Sequence, residues 1–104
     1  MSLIISKEYS AKDTEWHLNI EGEIDIETAK DLKSEIMKIF EEKQSNIVLN
    51  FENVKYIDST GLGSIIGAYG RMKEKGNNIY IINPKAHIKK LLNITGLDKI
   101  LIKE

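Results

Sequence analysis

The segment Asn46–Gly63, NIVLNFENVKYIDSTGLG, joins a short apolar run to a polar, glycine-rich cluster. Asn46–Phe51 is dense in β-branched and apolar residues, the composition of a buried strand. Glu52 to Asp58 reads as a connection with apolar anchors at Val54, Tyr56 and Ile57. From Ser59 to Lys75 the period changes. Leu62, Ile65, Ile66, Tyr69 and Met72 fall on one helical stripe, and Gly76 is the expected stop. A buried strand that feeds a helix, which in turn feeds another strand, is the unit of a parallel α/β sheet.

The flanks extend that unit. Glu15–Glu23 alternates strictly: Trp16, Leu18 and Ile20 point one way, and His17, Asn19 and Glu21 the other. Leu3–Tyr9 precedes it across the polar turn Ser10–Thr14, which predicts an antiparallel pair. Asp25–Lys43 takes helical period, with Ala29, Leu32, Ile36, Ile39 and Phe40 on one face and Asp25 or Thr28 as the cap. Asn78–Asn83 is a further buried strand. Pro84 starts a third helix lined by Ile88, Leu91, Leu92 and Thr95 and ended by Gly96, and Lys99–Lys103 closes as a last short strand. The order is β-β-α-β-α-β-α-β. It predicts an α/β fold, a small single layer of mixed, mostly parallel sheet with right-handed crossovers. The polar side of the second strand predicts a sheet face without helices.

The chain has 104 residues, 15 basic and 16 acidic, with a formal charge of -1. That length suits one domain, residues 1–104, exposing roughly 6,000 Å² when folded. A near-neutral charge with a single arginine, Arg71, argues against direct nucleic-acid binding. No apolar run is long enough for a membrane span, and no secretory signal opens the chain, so the expected compartment is the cytoplasm. Cysteine is absent, and His17 and His87 fit no HExxH pattern. No metal site and no cofactor is expected.

Chemistry concentrates at Asp58-Ser59-Thr60-Gly61-Leu62-Gly63. A helix start offers unpaired N–H groups and partial positive charge, which suit an anion or a phosphorylated hydroxyl. Asp58, Ser59 and Thr60 are equally good plain caps, and residues alone leave capping and a further role for a hydroxyl both open. Four glycines in one helix, Gly61, Gly63, Gly67 and Gly70, need a reason, since each costs roughly 0.5–1 kcal/mol against alanine. Close packing is expected at Gly67 and Gly70, and partner access at Gly61 and Gly63. The glycines lie inside the helix, and neither a ribose-binding acid nor a Gly-Lys-Ser/Thr follows, so a dinucleotide or P-loop site is disfavoured. No triad joins Ser59 to either histidine. His17 and His87 read as surface residues, and Trp16 as core or rim. Asp25 follows the second strand, so it either caps the next helix or shares a sheet edge with Asp58 and Ser59.

Three segments resemble the STAS domains, specifically the bacterial anti-sigma factor antagonists. Gly22-Glu23-Ile24-Asp25 with Thr28-Ala29 is similar to that family's strand-to-helix turn. Ile47–Phe51 through Val54, then Ile57–Gly63, resembles its signature strand, loop and helix start. Leu91–Ile100 resembles its closing helix and turn. The resemblance implies a switch protein and no catalysis. It implies phosphorylation of Ser59 by an anti-sigma factor that is itself a serine kinase, release on phosphorylation, and resetting by a serine phosphatase. Asp25, Asp58, Ser59, Thr60, Gly61, Leu62 and Gly63 would form the partner-binding surface. Two departures stand out: Asn50 sits where the family often has aspartate, and the residues given are expected to reach the last strand without the final helix of many members. Competing readings are an accessory STAS module of a transporter or stress-sensing complex, and a nucleotide or anion sensor.

Overall fold

The computed structural model describes residues 3–102. Four strands, β1 (Leu3–Ser10), β2 (Glu15–Ile24), β3 (Asn46–Ile57) and β4 (Ile79–Ile82), form one sheet in the order β1-β2-β3-β4. β1 runs antiparallel to β2, and the other pairs are parallel. The helices are α1 (Ala29–Glu42), α2 (Ser59–Glu74), α3 (Ala86–Ile94) and the single turn α4 (Asp98–Leu101). The solvent-accessible surface is 6085 Å², in line with a single domain of this length.

The register separates the two faces of the sheet. Tyr9, Trp16, Ile47 and Ile79 lie side by side in one row, and Lys7, Leu18, Leu49 and Ile81 in the next. These rows face the helices, and their apolar members pack with Leu32, Ile36, Ile39, Ile65, Met72, Ile88, Leu92 and Leu101 in one core. Lys7, on the edge strand, stays exposed and pairs with Glu35 of α1 at 3.2 Å. The alternate rows carry Glu8, His17, Val48 and Tyr80, then Ser6, Asn19, Asn50 and Ile82. Most of these are exposed or half-buried, which is the bare polar face that the alternation of β2 anticipates.

Three expectations need correction. The stretch Glu52–Ile57 is strand, not connection. β3 carries one extra residue between the pairs Asn19–Asn50 and Glu21–Asn53, and another between Gly22–Val54 and Glu23–Tyr56. These bulges turn a two-residue alternation into a three-residue one, so Phe51, Val54 and Ile57 are all buried. The last expected strand, Lys99–Lys103, is absent as such. Asp98–Leu101 closes a helical turn through Leu101 N–H to Leu97 O (2.8 Å), and only Ile102 extends, in a lone parallel bridge to Ile81. Lys103 lies outside the described residues. Finally, α3 begins at Ala86, two residues after Pro84. Gly76 (φ 81°) and Gly96 (φ 76°) end their helices as expected, in the left-handed conformation that glycine adopts without cost.

Candidate functional site

The carboxyl ends of β2 and β3 lie side by side and build the site from their two loops. Asp58 N–H donates to Ile24 O at 3.1 Å, which ties the start of α2 to the residue before Asp25. The structure thus brings Asp25 to the same edge as Asp58 and Ser59, and Asp25 also caps the turn that leads into α1, its carbonyl accepting from Ala29 N–H at 2.8 Å, so both placements open to it hold.

Asp58 is the cap of α2. It has extended backbone, its Oδ1 accepts from Gly61 N–H at 2.9 Å, and its carbonyl accepts from Leu62 N–H at 3.0 Å. Ser59 and Thr60 therefore do not cap. Both are exposed, and neither hydroxyl bonds to any described residue. Their backbone N–H groups are the first two of the helix and have no intrahelical acceptor. An anion held on the Ser59 oxygen would meet these donors and the positive end of a 16-residue helix.

Gly61 exchanges roles with the glycines that follow. A Cβ at Gly61 would lie 2.7 Å from Ile24 Cγ2 and 2.9 Å from both Ile24 O and Ile57 Cγ1. Gly61 is the contact that seats α2 on the strand ends, not an opening for a partner. Gly63 and Gly70 face open space. At Gly67 the only neighbour is the flexible end of Lys33, with Nζ at 2.9 Å. Packing against the sheet, expected at Gly67 and Gly70, falls on Gly61 alone. Leu62 is buried, and Gly63 is exposed beside Ser59.

The facing loop is built around a different carboxylate. Asp25 Oδ1 accepts from Glu27 N–H (2.9 Å), Thr28 N–H (3.1 Å) and the Thr28 hydroxyl (3.3 Å). Burial pushes the Asp25 carboxyl up, but these hydrogen bonds outweigh it and hold it below the ordinary value. Thr28 precedes α1 yet spends no side-chain bond on it. Its one hydroxyl proton is shared between Glu23 O (2.8 Å), the shorter contact, and Asp25 Oδ1, and its oxygen accepts from Asp25 N–H (2.9 Å). Between them Ile26 is 72% exposed, and Tyr56, opposite Glu23, is 47% exposed. Sequence reading missed Ile26 as a surface feature. It stands three residues before Ala29, so it looks like the first member of the α1 stripe, but the helix starts after it.

The remaining candidates lie elsewhere. Asn50 is on the bare face in mid-strand, where its amide donates to Asn19 Oδ1 (2.9 Å) and its oxygen accepts from Glu52 N–H and Asn83 Nδ2. A polar ladder, not the Ser59 loop, is what an aspartate there would alter. Trp16 is buried, with Nε1 donating to Lys43 O at 3.0 Å. His87 is exposed and bonds Lys55 O, and His17 is half-buried at the start of β2. No helix among the described residues is long and apolar enough to cross a membrane.

Residues 8–104 match the STAS domain family. An anti-sigma-B factor antagonist of Staphylococcus aureus is 30% identical over 94 residues, which cover 90% of this chain and 87% of the relative. The crystal structure of an anti-sigma factor antagonist from Mycobacterium paratuberculosis superposes with a TM-score of 0.77 at 25% identity, covering 96% and 83% of the two chains. The phosphorylated form of the Bacillus cell fate determinant SpoIIAA shares the fold at a TM-score of 0.73 and 20% identity, covering 97% and 91%.

Proposed function

The chain belongs to the STAS domain family, and within it we propose that it is an anti-sigma factor antagonist switched by phosphorylation of Ser59. The observation that carries this reading is the division of labour at the start of α2. Asp58 does the capping, so the exposed Ser59 hydroxyl has no structural bond to lose. The naming of the Staphylococcus aureus relative supports the antagonist role, and the SpoIIAA likeness shows that such a fold is known in a phosphorylated form.

In the unmodified state the edge formed by Asp25, Asp58, Ser59, Thr60, Gly63 and the projecting Ile26, seated by the buried Gly61 and Leu62, would dock on a cytoplasmic anti-sigma factor with serine kinase activity. Phosphoryl transfer to Ser59 adds about 1.5–2 negative charges. Against a neighbouring carboxylate such as that of Asp58, each unit charge meets about 3 kcal/mol of repulsion if the two stand about 5 Å apart at an effective dielectric near 20. The helix end returns about 1–2 kcal/mol. The free protein thus carries the group, whereas an interface that closes over it loses affinity steeply, since about 1.4 kcal/mol is tenfold. A serine phosphatase would reset the site. The chain acts here as a substrate and binding partner, with transcription as the regulated process.

Pull-down from native extract with wild-type, Ser59→Ala and Ser59→Asp baits, read by mass spectrometry, tests the proposal. Wild type and Ser59→Ala should retain an anti-sigma serine kinase, and Ser59→Asp should retain at least tenfold less. Equal retention of transporter or stress-complex components by all three baits would overturn it and leave Ser59 without a switching role.

A further inference from the structure

At the opposite end of β2 the chain reads Asp13-Thr14-Glu15-Trp16-His17. Residues two apart on a strand share a face, so Glu15 and His17 both belong to the bare side of the sheet. Across the hairpin they stand opposite Ser10 and Glu8, and on the β3 side opposite Asn46 and Val48. His17 Nε2 is 3.3 Å from Glu15 Oε1 and 4.0 Å from Asp13 Oδ2, and the three candidate ligand atoms all lie within 4.8 Å of one another. That ring nitrogen is shut off from solvent and makes no hydrogen bond to any described residue. Glu15 is itself buried, at 8% exposure.

We propose that Asp13, Glu15 and His17 form a binding site for a divalent transition-metal ion of the zinc type. One imidazole and two carboxylates match the ligand preferences of zinc, and two negative charges balance the ion. Ligand atoms at about 2.0–2.2 Å from a tetrahedral ion lie roughly 3.4 Å apart. The Glu15–His17 pair already has that spacing, and the Asp13 oxygen, 4.0 Å from His17 Nε2 and within 4.8 Å of the Glu15 ligand atom, must close by about 0.6 Å on the first and by at most about 1.4 Å on the second. The support around the ligands is in place. Ser10 Oγ donates to Asp13 Oδ2 (3.2 Å) and accepts from Asp13 N–H (3.1 Å), which orients the carboxylate. On the covered face, Trp16 is pinned to Lys43 O and packs edge-on against Tyr9 at 5.2 Å, so the backbone between the ligands is anchored. Three protein ligands leave a position open for water or for a group from a partner. The site is about 30 Å along β2 from the Asp25 loop, so it stands or falls independently of the switch. Cysteine and HExxH patterns do not reveal it, because two of its ligands alternate along a strand and the third lies in the turn before it.

Zinc chloride titrated into the untagged full chain, followed by calorimetry and by long-range ¹H–¹⁵N spectra of the imidazoles, tests the site. One ion should bind per chain, moving the His17 Nε2 resonance and leaving His87 unchanged. His17→Gln should abolish binding. Asp13→Asn, which changes an exposed turn residue and is the safer variant should Glu15→Gln fail to fold, should weaken it at least tenfold. No binding at micromolar protein, equal responses of His17 and His87, or undiminished binding by Asp13→Asn and His17→Gln would each overturn the proposal.

Discussion

Two aspartates, each just past the end of a parallel strand, organise neighbouring loops in opposite ways. Asp25 collects two backbone N–H bonds on one oxygen and is locked further by Thr28, whose hydroxyl shares its proton between Glu23 O and Asp25 Oδ1 and accepts from Asp25 N–H. Asp58 makes one side-chain bond, to Gly61 N–H, and leaves the next two residues exposed with unbonded hydroxyls. The first loop is a fixed template that projects Ile26. The second is a stable helix start with a modifiable surface. A switch needs both, because a change at Ser59 alters affinity only if the surface beside it holds its shape.

The sharpest way to break the comparison is at the seat they share. Gly61→Ala should destabilise the fold by about 1–3 kcal/mol, because its Cβ would collide with Ile24 and Ile57. Gly63→Ala, two residues on and facing open space, should instead gain about 0.5–1 kcal/mol. Urea unfolding of the pair measures both signs. Next in size, Thr28→Val strands the Asp25 N–H and Glu23 O at a buried position and should cost about 1–3 kcal/mol. Asp58→Ala removes one cap bond and should cost about 1 kcal/mol. If Asp58→Ala proved the costlier, the assignment of template and switch would reverse.

The smallest effect is electrostatic. The folded carboxyl of Asp25 lies below its ordinary value of 3.8. Its contribution is therefore fully present above that value and is lost as pH falls through the lower folded value. The Tm difference between wild type and Asp25→Asn should be constant near neutrality and narrow on acidification below about pH 4. A difference that widened on acidification would contradict the bonding described for the template loop.

The order of β1, β2, α1, α2 and β4 was legible in the sequence, and so were the faces of β2, α1 and α2, because the apolar residues of those three repeat at one period. The cluster at Asp58–Gly63 was legible as a helix start for the same reason. What failed was local. Phe51, Val54 and Ile57 repeat every three residues, which belongs to neither strand nor helix until two bulges are supplied. Ile100, Leu101 and Ile102 have strand propensity, but the chain spends them on one helical turn and a single bridge. The glycines of α2 are alike in sequence, and only the proximity of Ile24 distinguishes Gly61 from the rest. The proposed zinc-type site was invisible because a polar turn residue and alternate polar residues on a bare strand face look like ordinary solvated surface.

The bulges of β3 also govern how chain length can vary. Each adds one residue while the pairing before and after it keeps its partners. Losing a residue at either point would straighten the strand yet leave Phe51, Val54 and Ile57 facing the core. Losing one between Asn46 and Asn50 would turn every later side chain over. Alignments of homologous chains should therefore open single-residue gaps after Phe51 and after Val54, and the distance from the strand to the Ser59 helix can drift by one or two residues over evolutionary time without moving the helix from its seat.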